Sequence, residues 1–167
     1  MAAEPLICMV EIPKGSRNKY EFDPALQAIK LDRFVSASVV YPTDYGFVPE
    51  TLALDGDELD VLVCVSEPTF PGCLIPVNPI GVFRMRDENG PDDKIVCVPL
   101  HDPFWNVHDD VEDLPQQLRD EIFHFFQVHK DLEAHRHSDP IGWSGRDAAV
   151  REIAEARDRF RAQTPSS

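Results

Sequence analysis

Short apolar runs separated by turn residues dominate the first hundred positions of the chain. They predict strands bounded by clusters of Pro, Gly, Asn and Asp, at Leu6–Ile12, Lys19–Phe22, Ile29–Phe34, Glu58–Val65, Ile80–Arg86 and Lys94–Pro99. The VLVCV run at 61–65 is apolar at both odd and even positions, so both of its faces should be covered. This pattern is typical of a β-barrel or sandwich with a further layer packed against it.

The apolar spacing becomes helical after the loop His101–Asp113. The first stripe consists of Leu118, Ile122, Phe125 and Phe126. We place the cap of this helix at Asp113, Pro115 in its first turn and its end near Lys130. A second helix is predicted from the capping-box sequence Ser144-Gly-Arg-Asp147, with a stripe at Ala149, Ile153, Ala156 and Phe160.

Composition fits one domain spanning residues 1–167, with 164–167 as a frayed tail. The 167 residues are 43% apolar and include ten Phe, enough for a real core. No apolar run approaches the roughly 18 residues of a membrane span, and Met1–Val10 lacks a basic start or a small-residue cleavage pattern. We therefore expect a cytoplasmic protein with no membrane partner.

The charge balance bears on the class of partner. Sixteen Lys and Arg face 30 Asp and Glu, for a formal net charge of −14. Binding of DNA or RNA relies on basic residues that replace counterions on phosphates, so a nucleic-acid partner is not expected. Excess acid suits either bound cations or simple solubility, and the positions of the acids must decide between them.

Cysteines and histidines give weaker signals. The cysteines, Cys8, Cys64, Cys73 and Cys97, show no CxxC spacing, and three of them lie in apolar runs, which favours buried reduced thiols. The clustered histidines are His124, His129, His135 and His137. Their HxxxxH and HxH spacings are weak metal patterns, so a zinc site is only a minor alternative.

Three Asp residues within Asp55–Asp60 directly precede a strand that looks buried on both faces. Asp60 has the same parity as Leu62 and Cys64, so an extended strand points it the same way as two apolar side chains. A lone carboxylate there would cost several kcal/mol to desolvate unless a cation lies nearby. The pattern therefore predicts a compensating positive group.

A second acidic cluster, Asp87–Asp92, occupies the predicted hairpin turn before Lys94. Taken alone it is explained by ordinary Asp and Gly turn chemistry. If the barrel brings both clusters to one end, their repulsion should recruit divalent ions, and hard oxygen ligands suit Mg²⁺ or Mn²⁺. An EF-hand is excluded, because its fifth and sixth loop positions, a ligand and a Gly, are occupied here by Leu59 and Asp60.

Basic and hydroxylic residues accompany these acids. The basic residues in question are Lys19, Arg33, Lys94 and Lys130, each of which taken singly is most often a surface charge. An acidic, metal-binding pocket ringed by Lys, Arg and Tyr would suit a small, highly charged phosphate anion. Chemistry on phosphate follows as a hypothesis.

These motifs together resemble the magnesium-dependent soluble inorganic pyrophosphatases of the first family. The family's mark is an Asp-x-Asp-x-x-Asp run, present here as Asp55-Gly-Asp57-Glu58-Leu59-Asp60. The likeness extends to Glu11-Ile-Pro, Lys19-Tyr20-Glu21, Asp32-Arg33, Tyr41-Pro-Thr-Asp-Tyr45-Gly-Phe, Val82-Phe-Arg-Met-Arg-Asp87-Glu, Asp92-Asp-Lys94, His124-Phe-Phe and Lys130-Asp-Leu-Glu133. It covers about three quarters of the chain, 6–133.

The resemblance implies a mainly β, α+β fold: a five-stranded OB-like closed barrel with flanking short strands and two C-terminal helices. It implies a cytoplasmic homo-oligomer, often a hexamer in bacteria, that hydrolyses pyrophosphate to two phosphates with several Mg²⁺ ions per active site, Mn²⁺ being a possible substitute.

The resemblance also implies residue roles. The metal ligands would be Asp55, Asp60 and Asp92 for the principal ions, with Asp60 bridging two of them, and Asp87 and Glu11 for ions that arrive with substrate. Asp57 would be the general base on the attacking water. Phosphate would contact Lys19, Arg33, Tyr45, Lys94 and Lys130, supported by Glu21 and Tyr41.

Two features depart from the family pattern. His129 stands where the family usually has Tyr, immediately before Lys130, and Ala134–Asp139 lacks the usual Gly-Lys pattern. A neutral imidazole can donate one hydrogen bond to substrate and a protonated one adds charge, so substrate affinity is predicted to vary between about pH 6 and 8. An imidazole turned into solvent is the alternative.

Two other functions stay open at this stage. An OB-barrel that binds single strands is allowed by the fold, although the net charge of −14 and the lack of basic-aromatic runs count against it. A metal-binding structural protein without turnover is the third interpretation, which the ring of Lys, Arg and Tyr makes unnecessary but does not exclude.

Overall fold

The computed structural model describes residues 5–163, so the predicted frayed tail 164–167 lies outside the described residues. The strands are β1 Leu6–Ile12, β2 Asn18–Asp23, β3 Ala28–Phe34, β4 Asp44–Val48, β5 Leu59–Val63, β6 Leu74–Asp87, β7 Gly90–Pro91, β8 Lys94–Pro99 and β9 Ser138–Gly145. The helices are α1 Gln116–Val128 and α2 Arg146–Gln163, preceded by a 3₁₀ turn at Val111–Asp113.

Five strands close into a ring. β1 pairs with β4, β4 with β5, β5 with β8, β8 with β6, and β6 with β1 again. The 14-residue β6 is long enough to hold β9 and β7 on its far half, while β2 and β3 form a separate hairpin. The predicted mainly β fold with a five-stranded ring and two late helices is confirmed.

The parallel pairing of β5 with β8 determines where the acids lie. Val61 aligns with Ile95 and Val63 with Cys97, so both strands begin at the same end of the sheet. The Asp55–Asp60 run enters β5 at that end, and the hairpin that carries Asp92 enters β8 beside it. Two acidic segments that are distant in the chain are therefore neighbours.

Two apolar cores cover the two faces of these strands. The first draws on all five ring strands and on α2, and it includes Val10, Val61 and Ile153. The second contains the alternate residues of β5, β6 and β8, such as Leu62, packed under Phe125 of α1. Within residues 5–163, no helix is both long and apolar enough to cross a membrane.

Free thiols fill part of this interior. Cys8 and Cys97 are buried in the first core and Cys64 in the second, whereas Cys73 is partly exposed. Buried thiols of this kind behave as small apolar side chains, as the sequence predicted for the apolar runs.

Two strands escaped the sequence pattern because they contain residues typical of turns. β4 includes Gly46, and a Cβ built there would lie 2.0 Å from the backbone oxygen of Met9. Only glycine lets β1 and β4 approach this closely, so Gly46 is a packing requirement of the strand. β9 contains Pro140 and Gly142 and pairs only with β6 among the described strands.

The predicted helix starts and one helix end are wrong in detail. α1 ends at Val128, not Lys130, and Asp113 lies in the 3₁₀ turn, where its carboxylate accepts hydrogen bonds from backbone N–H groups of the preceding loop. Ser144 belongs to β9 and accepts a hydrogen bond from Nε of Arg84 at 3.0 Å. Asp110 caps the N-terminus of α2 instead of Ser144, since its Oδ2 accepts a hydrogen bond from the N–H of Arg146 at 3.1 Å.

Asp44 is a fully buried carboxylate at the start of β4. It accepts hydrogen bonds from the N–H of Lys14 at 2.8 Å and from the N–H and hydroxyl of Thr69 at 3.2 and 2.6 Å. These contacts tie the β1–β2 turn and the loop before β6 to the strand that carries Tyr45.

We predict that Asp44→Ala lowers the free energy of unfolding by about 3 kcal/mol, because it leaves these donors unsatisfied in the interior. Urea unfolding followed by circular dichroism measures the change. Asp158→Ala, which removes an exposed carboxylate paired with Arg161, is the control and should change stability by less than about 0.5 kcal/mol. Equal effects of the two substitutions would contradict this account of Asp44.

Candidate active site

One pocket of about 540 Å³ collects every site residue that the sequence singled out. Its lining includes Glu11, Lys19, Glu21, Arg33, Tyr41, Tyr45, Asp55, Asp57, Asp60, Asp87, Asp92, Lys94, His129 and Lys130. The pocket lies beside the β5–β8 ends, between the C-terminal end of α1 and the β2–β3 hairpin. The predicted meeting of the two acidic segments is confirmed.

The Asp55–Asp60 segment turns sharply before it enters β5. Gly56 has φ of +92°, a conformation that glycine adopts readily, and Asp55 Oδ1 accepts a hydrogen bond from the N–H of Asp57 at 3.0 Å. This tight turn places Asp57 at the exposed rim of the pocket, while Asp60, the second residue of β5, faces the same side as Leu62. The segment thus supplies carboxylates at two depths.

Lys94 is the positive group that Asp60 requires. The Lys94 side chain is only 3% exposed, and its Nζ lies 3.0 Å from Asp60 and 2.9 Å from Asp92. The same Nζ is 5.3 Å from the centre of the Tyr45 ring. Burial alone would lower the pKa of Lys94, but Asp60, Tyr45 and Asp92 together raise it well above its ordinary value, so the ammonium stays charged.

Several carboxylates are held in environments that disfavour negative charge. Burial, reinforced by Asp60, outweighs Lys94 and raises the pKa of Asp92 to about 6. Burial also raises the pKa of Glu11 to about 7, although Glu11 accepts a hydrogen bond from the N–H of Phe22 at 2.9 Å. Burial and the neighbouring Asp55 raise the pKa of Asp57. Added positive charge would relieve each of them.

The donor set fits divalent cations. Eleven acidic side chains line the pocket against five Lys and Arg side chains, and their oxygens are the hard ligands that Mg²⁺ and Mn²⁺ prefer. Within residues 5–163 no three acidic, His or Cys side chains are already close enough to enclose one ion, and Lys94 lies between Asp60 and Asp92. The excess of carboxylates, rather than a closed ligand cage, is the feature that matches bound metal.

Three further cations of the pocket, Lys19, Arg33 and Lys130, are paired with carboxylates. Lys19 Nζ lies 3.3 Å from Asp32, and Arg33 contacts Asp32 at 2.8 Å and Glu133 at 2.6 Å. Lys130 Nζ lies 3.4 Å from Glu88. A further contact links Lys130 to Asp87 at 3.7 Å. Each of these cations could bind an anion only by sharing or leaving its present partner.

Two tyrosines complete the buried wall. Tyr41 is 4% exposed, and its ring contacts Phe125 at 4.5 Å and Tyr45 at 5.7 Å between centroids. Burial raises the pKa of both hydroxyls, so they are protonated at neutral pH. Tyr41 belongs to the second core and Tyr45 packs against it, which fixes the position of the Tyr45 side chain beside Lys94.

The surroundings of His129 exclude the alternative of an imidazole turned into solvent and leave the neutral hydrogen-bond donor. Its ring stacks on Phe125, with centroids 5.0 Å apart and planes inclined by 23°, so it is not turned into solvent. Burial, with Lys130 adjacent, lowers the pKa of His129 to about 4. The imidazole is therefore neutral between pH 6 and 8, and the predicted change of its charge in that range is wrong for the unliganded protein.

The sequence prediction missed several lining residues. The charged ones are Asp32, Glu58, Glu88, Glu133 and Arg136, which border the pocket together with the predicted set. Asp32 could have been found from its place beside Arg33, the residue that pairs with Lys19 in the β2–β3 hairpin. Glu58, Glu88 and Glu133 stand inside motifs that carry the family resemblance, but they were assigned no role. Arg136 lies in a segment with neither a hydrophobic period nor a family motif, so no local signal distinguishes it from an ordinary surface charge.

Known proteins resemble this chain over nearly its whole length. The family model described as inorganic pyrophosphatase matches residues 8–161. The inorganic pyrophosphatase of Methanosarcina acetivorans is 54% identical over 91% of this chain and 90% of its own, and that of Streptomyces coelicolor is 52% identical over 92% and 94%. The solved structure of the Thermus thermophilus inorganic pyrophosphatase superposes with a TM-score of 0.93 at 42% identity, over 96% of this chain and 93% of that one.

We predict that Lys94→Met lowers the free energy of unfolding by about 3 kcal/mol at pH 7.5 without divalent ions, since it leaves Asp60 and Asp92 adjacent and uncompensated. Urea unfolding in the presence of EDTA measures the loss. Lys30→Met, which removes an exposed pair with Asp23, serves as the control and should cost well under 1 kcal/mol. If the two variants lose the same stability, Lys94 does not neutralise the buried acids.

We predict that the His129 imidazole does not titrate between pH 5.5 and 8, because its folded pKa is lowered to about 4. A folded pKa below the unfolded value of about 6.5 also means that this residue adds stability as pH rises from about 4 to 6.5. Imidazole ¹⁵N NMR on the unliganded protein provides the measurement, with His129→Tyr to assign the signal. A titration midpoint between pH 6 and 8 would contradict the prediction.

Proposed function

Because the chain belongs to the inorganic pyrophosphatase family, we propose that it is an inorganic diphosphatase, which hydrolyses pyrophosphate to two phosphates. The observation that carries this proposal is the pocket in which carboxylates from two distant acidic segments meet a set of Lys, Arg and Tyr side chains. Carboxylates that hold metal and cations that hold phosphate are the two parts that phosphoryl transfer needs.

We propose that Mg²⁺ is the metal, with Mn²⁺ as a possible substitute. Asp55, Asp60 and Asp92 would hold the principal ions, and Asp87 and Glu11 would hold ions that accompany the substrate. When bound, divalent ions supply positive charge to phosphate oxygens and make water more acidic. The raised pKa values of Asp92 and Glu11 support this assignment, since both carboxylates lack sufficient positive charge without metal.

Asp57 is the proposed general base. Its carboxylate lies at the rim of the acidic segment, where burial and Asp55 raise its pKa above that of an ordinary Asp. A raised pKa makes a carboxylate a stronger base, so Asp57 is suited to accept the proton of the water that attacks phosphorus. The water oxygen then forms the new bond to phosphorus while the bridging oxygen leaves with the second phosphate.

The cations are proposed to bind the two phosphate groups. Lys19, Arg33, Lys94 and Lys130 neutralise charge on the phosphoryl oxygens and on the leaving phosphate, where phosphoryl transfer gains most from stabilisation. The protonated Tyr45 hydroxyl and the neutral His129 imidazole can each donate a hydrogen bond to the same oxygens. Glu21 and Tyr41 are supporting residues, and the contact of Tyr41 with Tyr45 gives this support a physical form.

We also propose that residues 1–167 form one domain and that the protein works in the cytoplasm as a homo-oligomer, with a hexamer as the state that the family resemblance implies. The single domain is supported by β6, which contributes to both apolar cores. An oligomer is supported by exposed apolar side chains such as Phe70 and Leu74, which are 64% and 57% exposed.

We predict that the purified protein releases phosphate from pyrophosphate with Mg²⁺ and not with EDTA, and that Asp57→Asn lowers kcat at least about 100-fold because the base is lost. Colorimetric phosphate release measures both effects. The absence of metal-dependent turnover in well-folded protein would overturn the proposed function.

Asp158→Asn is the matched control, since it removes an exposed carboxylate of α2 outside the pocket lining and should retain wild-type kcat. A wild-type kcat in Asp57→Asn would overturn the role of Asp57 while leaving the function itself intact.

A further inference from the structure

Arg33 is held by carboxylates on both edges of its guanidinium group. Its Nε lies 2.6 Å from Oε1 of Glu133, and one terminal nitrogen lies 2.8 Å from Oδ2 of Asp32. One positive charge thus faces two negative ones. An anion that approaches Arg33 must compete with carboxylates that already contact its guanidinium group.

The two carboxylates on Arg33 are not equivalent. Asp32 is shared with Lys19, whose Nζ lies 3.3 Å away. Glu133 has no ion-pair partner other than Arg33 within residues 5–163. The attraction between Arg33 and Glu133 is therefore the one that an anion arriving at the Nε edge has to replace.

The turn that carries Glu133 is fastened beside the pocket. The N–H of Glu133 donates to the oxygen of Lys130 at 2.9 Å. Glu88 Oε2 accepts from Lys130 Nζ and from the N–H of His137, both at 3.4 Å, which holds the two ends of the turn. The carboxylate of Glu133 is thereby kept close to Arg33, and side-chain rotation is the movement that releases it.

We propose that Glu133 is an internal competitor for phosphate at Arg33, which weakens phosphate binding on that side of the pocket and favours its release. This inference rests on the proposed function. Glu133 is not among the carboxylates assigned to metal, so divalent ions at those ligands leave its charge free to compete. Glu133 determines anion affinity by occupying Arg33, without itself binding the substrate.

A competing Glu133 and a supporting Glu133 predict opposite changes in anion affinity when the carboxylate is removed. If Glu133 only oriented Arg33 for substrate, its removal would weaken anion binding. Because it competes, its removal strengthens binding of any phosphate group that reaches Nε of Arg33. Partly exposed ion pairs are modest in strength, so we expect changes of about three- to tenfold.

The experiment compares the wild type with Glu133→Gln, which keeps the shape of the side chain and removes its charge. Isothermal titration calorimetry with inorganic phosphate in Mg²⁺ buffer should give a Kd about three- to tenfold lower for the variant. The KM for pyrophosphate should fall in the same direction. Glu121→Gln, which removes an exposed charge on α1 bonded to Gln117, should leave the phosphate Kd unchanged.

A double-mutant cycle assigns the effect to Arg33. In an Arg33→Gln background, Glu133→Gln should change the phosphate Kd by less than about twofold, because the contested cation is absent. Equal tightening in both backgrounds would mean a general charge effect and would overturn the proposal. A phosphate Kd that is unchanged or raised in the single Glu133→Gln variant would overturn it as well.

The two hypotheses fail separately in this design. Wild-type turnover of pyrophosphate without tighter phosphate binding in Glu133→Gln leaves the function standing and removes the competitor. Calorimetric binding of phosphate needs no turnover, so a wild type without hydrolysis removes the function, and with it the release role of Glu133. Circular dichroism melts confirm that each variant is folded at the assay temperature.

Discussion

The ammonium group of Lys94, buried between Asp60 and Asp92, is the interaction on which the pocket depends. It exists because β5 and β8 run parallel, which places the second residue of one strand beside the first residue of the other. An antiparallel pairing would send the two strand starts to opposite ends of the sheet and separate the acids. The topology of the ring therefore determines the chemistry of the site before any side chain is considered.

The same arrangement concentrates negative charge beyond what the protein's own cations balance. Eleven acidic and five Lys or Arg side chains share the pocket, and burial raises the pKa of Asp92 and Glu11 towards neutrality. A fold selected only for stability would not retain such repulsion, since apolar packing at these positions costs less. Part of the net charge of −14 is thus concentrated in this pocket, where the carboxylates outnumber the protein's own cations.

The sequence predicted those features that depend on the spacing of apolar residues and on which side chains share a face of a strand. The parity of Asp60 with Leu62 predicted a partly buried acid with a cationic partner, and Lys94 is that partner. The parallel β5–β8 pairing has no local signal in the sequence. The meeting of the two acidic segments could therefore be predicted only on the condition that the barrel brings both to one end. β4 was missed because Gly46 is required by the close approach of Met9, a tertiary contact. His129 was misjudged since burial against Phe125, invisible in the sequence, governs its pKa.

Pairing of every phosphate-directed cation with a carboxylate changes how affinity in this pocket should be understood. Lys94 faces Asp60 and Asp92, and Lys130 faces Asp87 as well as Glu88. Metal bound at Asp60, Asp87 and Asp92 would relieve that part of the competition. Arg33 is different, because metal bound at the assigned ligands leaves the charge of Glu133 in place beside it. The free energy of phosphate binding at Arg33 is then the difference between the Arg33–phosphate and the Arg33–Glu133 interactions, rather than the strength of the first alone. A site that must release two identical, highly charged products benefits from such a difference, because tight and uniform binding would retain phosphate after the bond is broken.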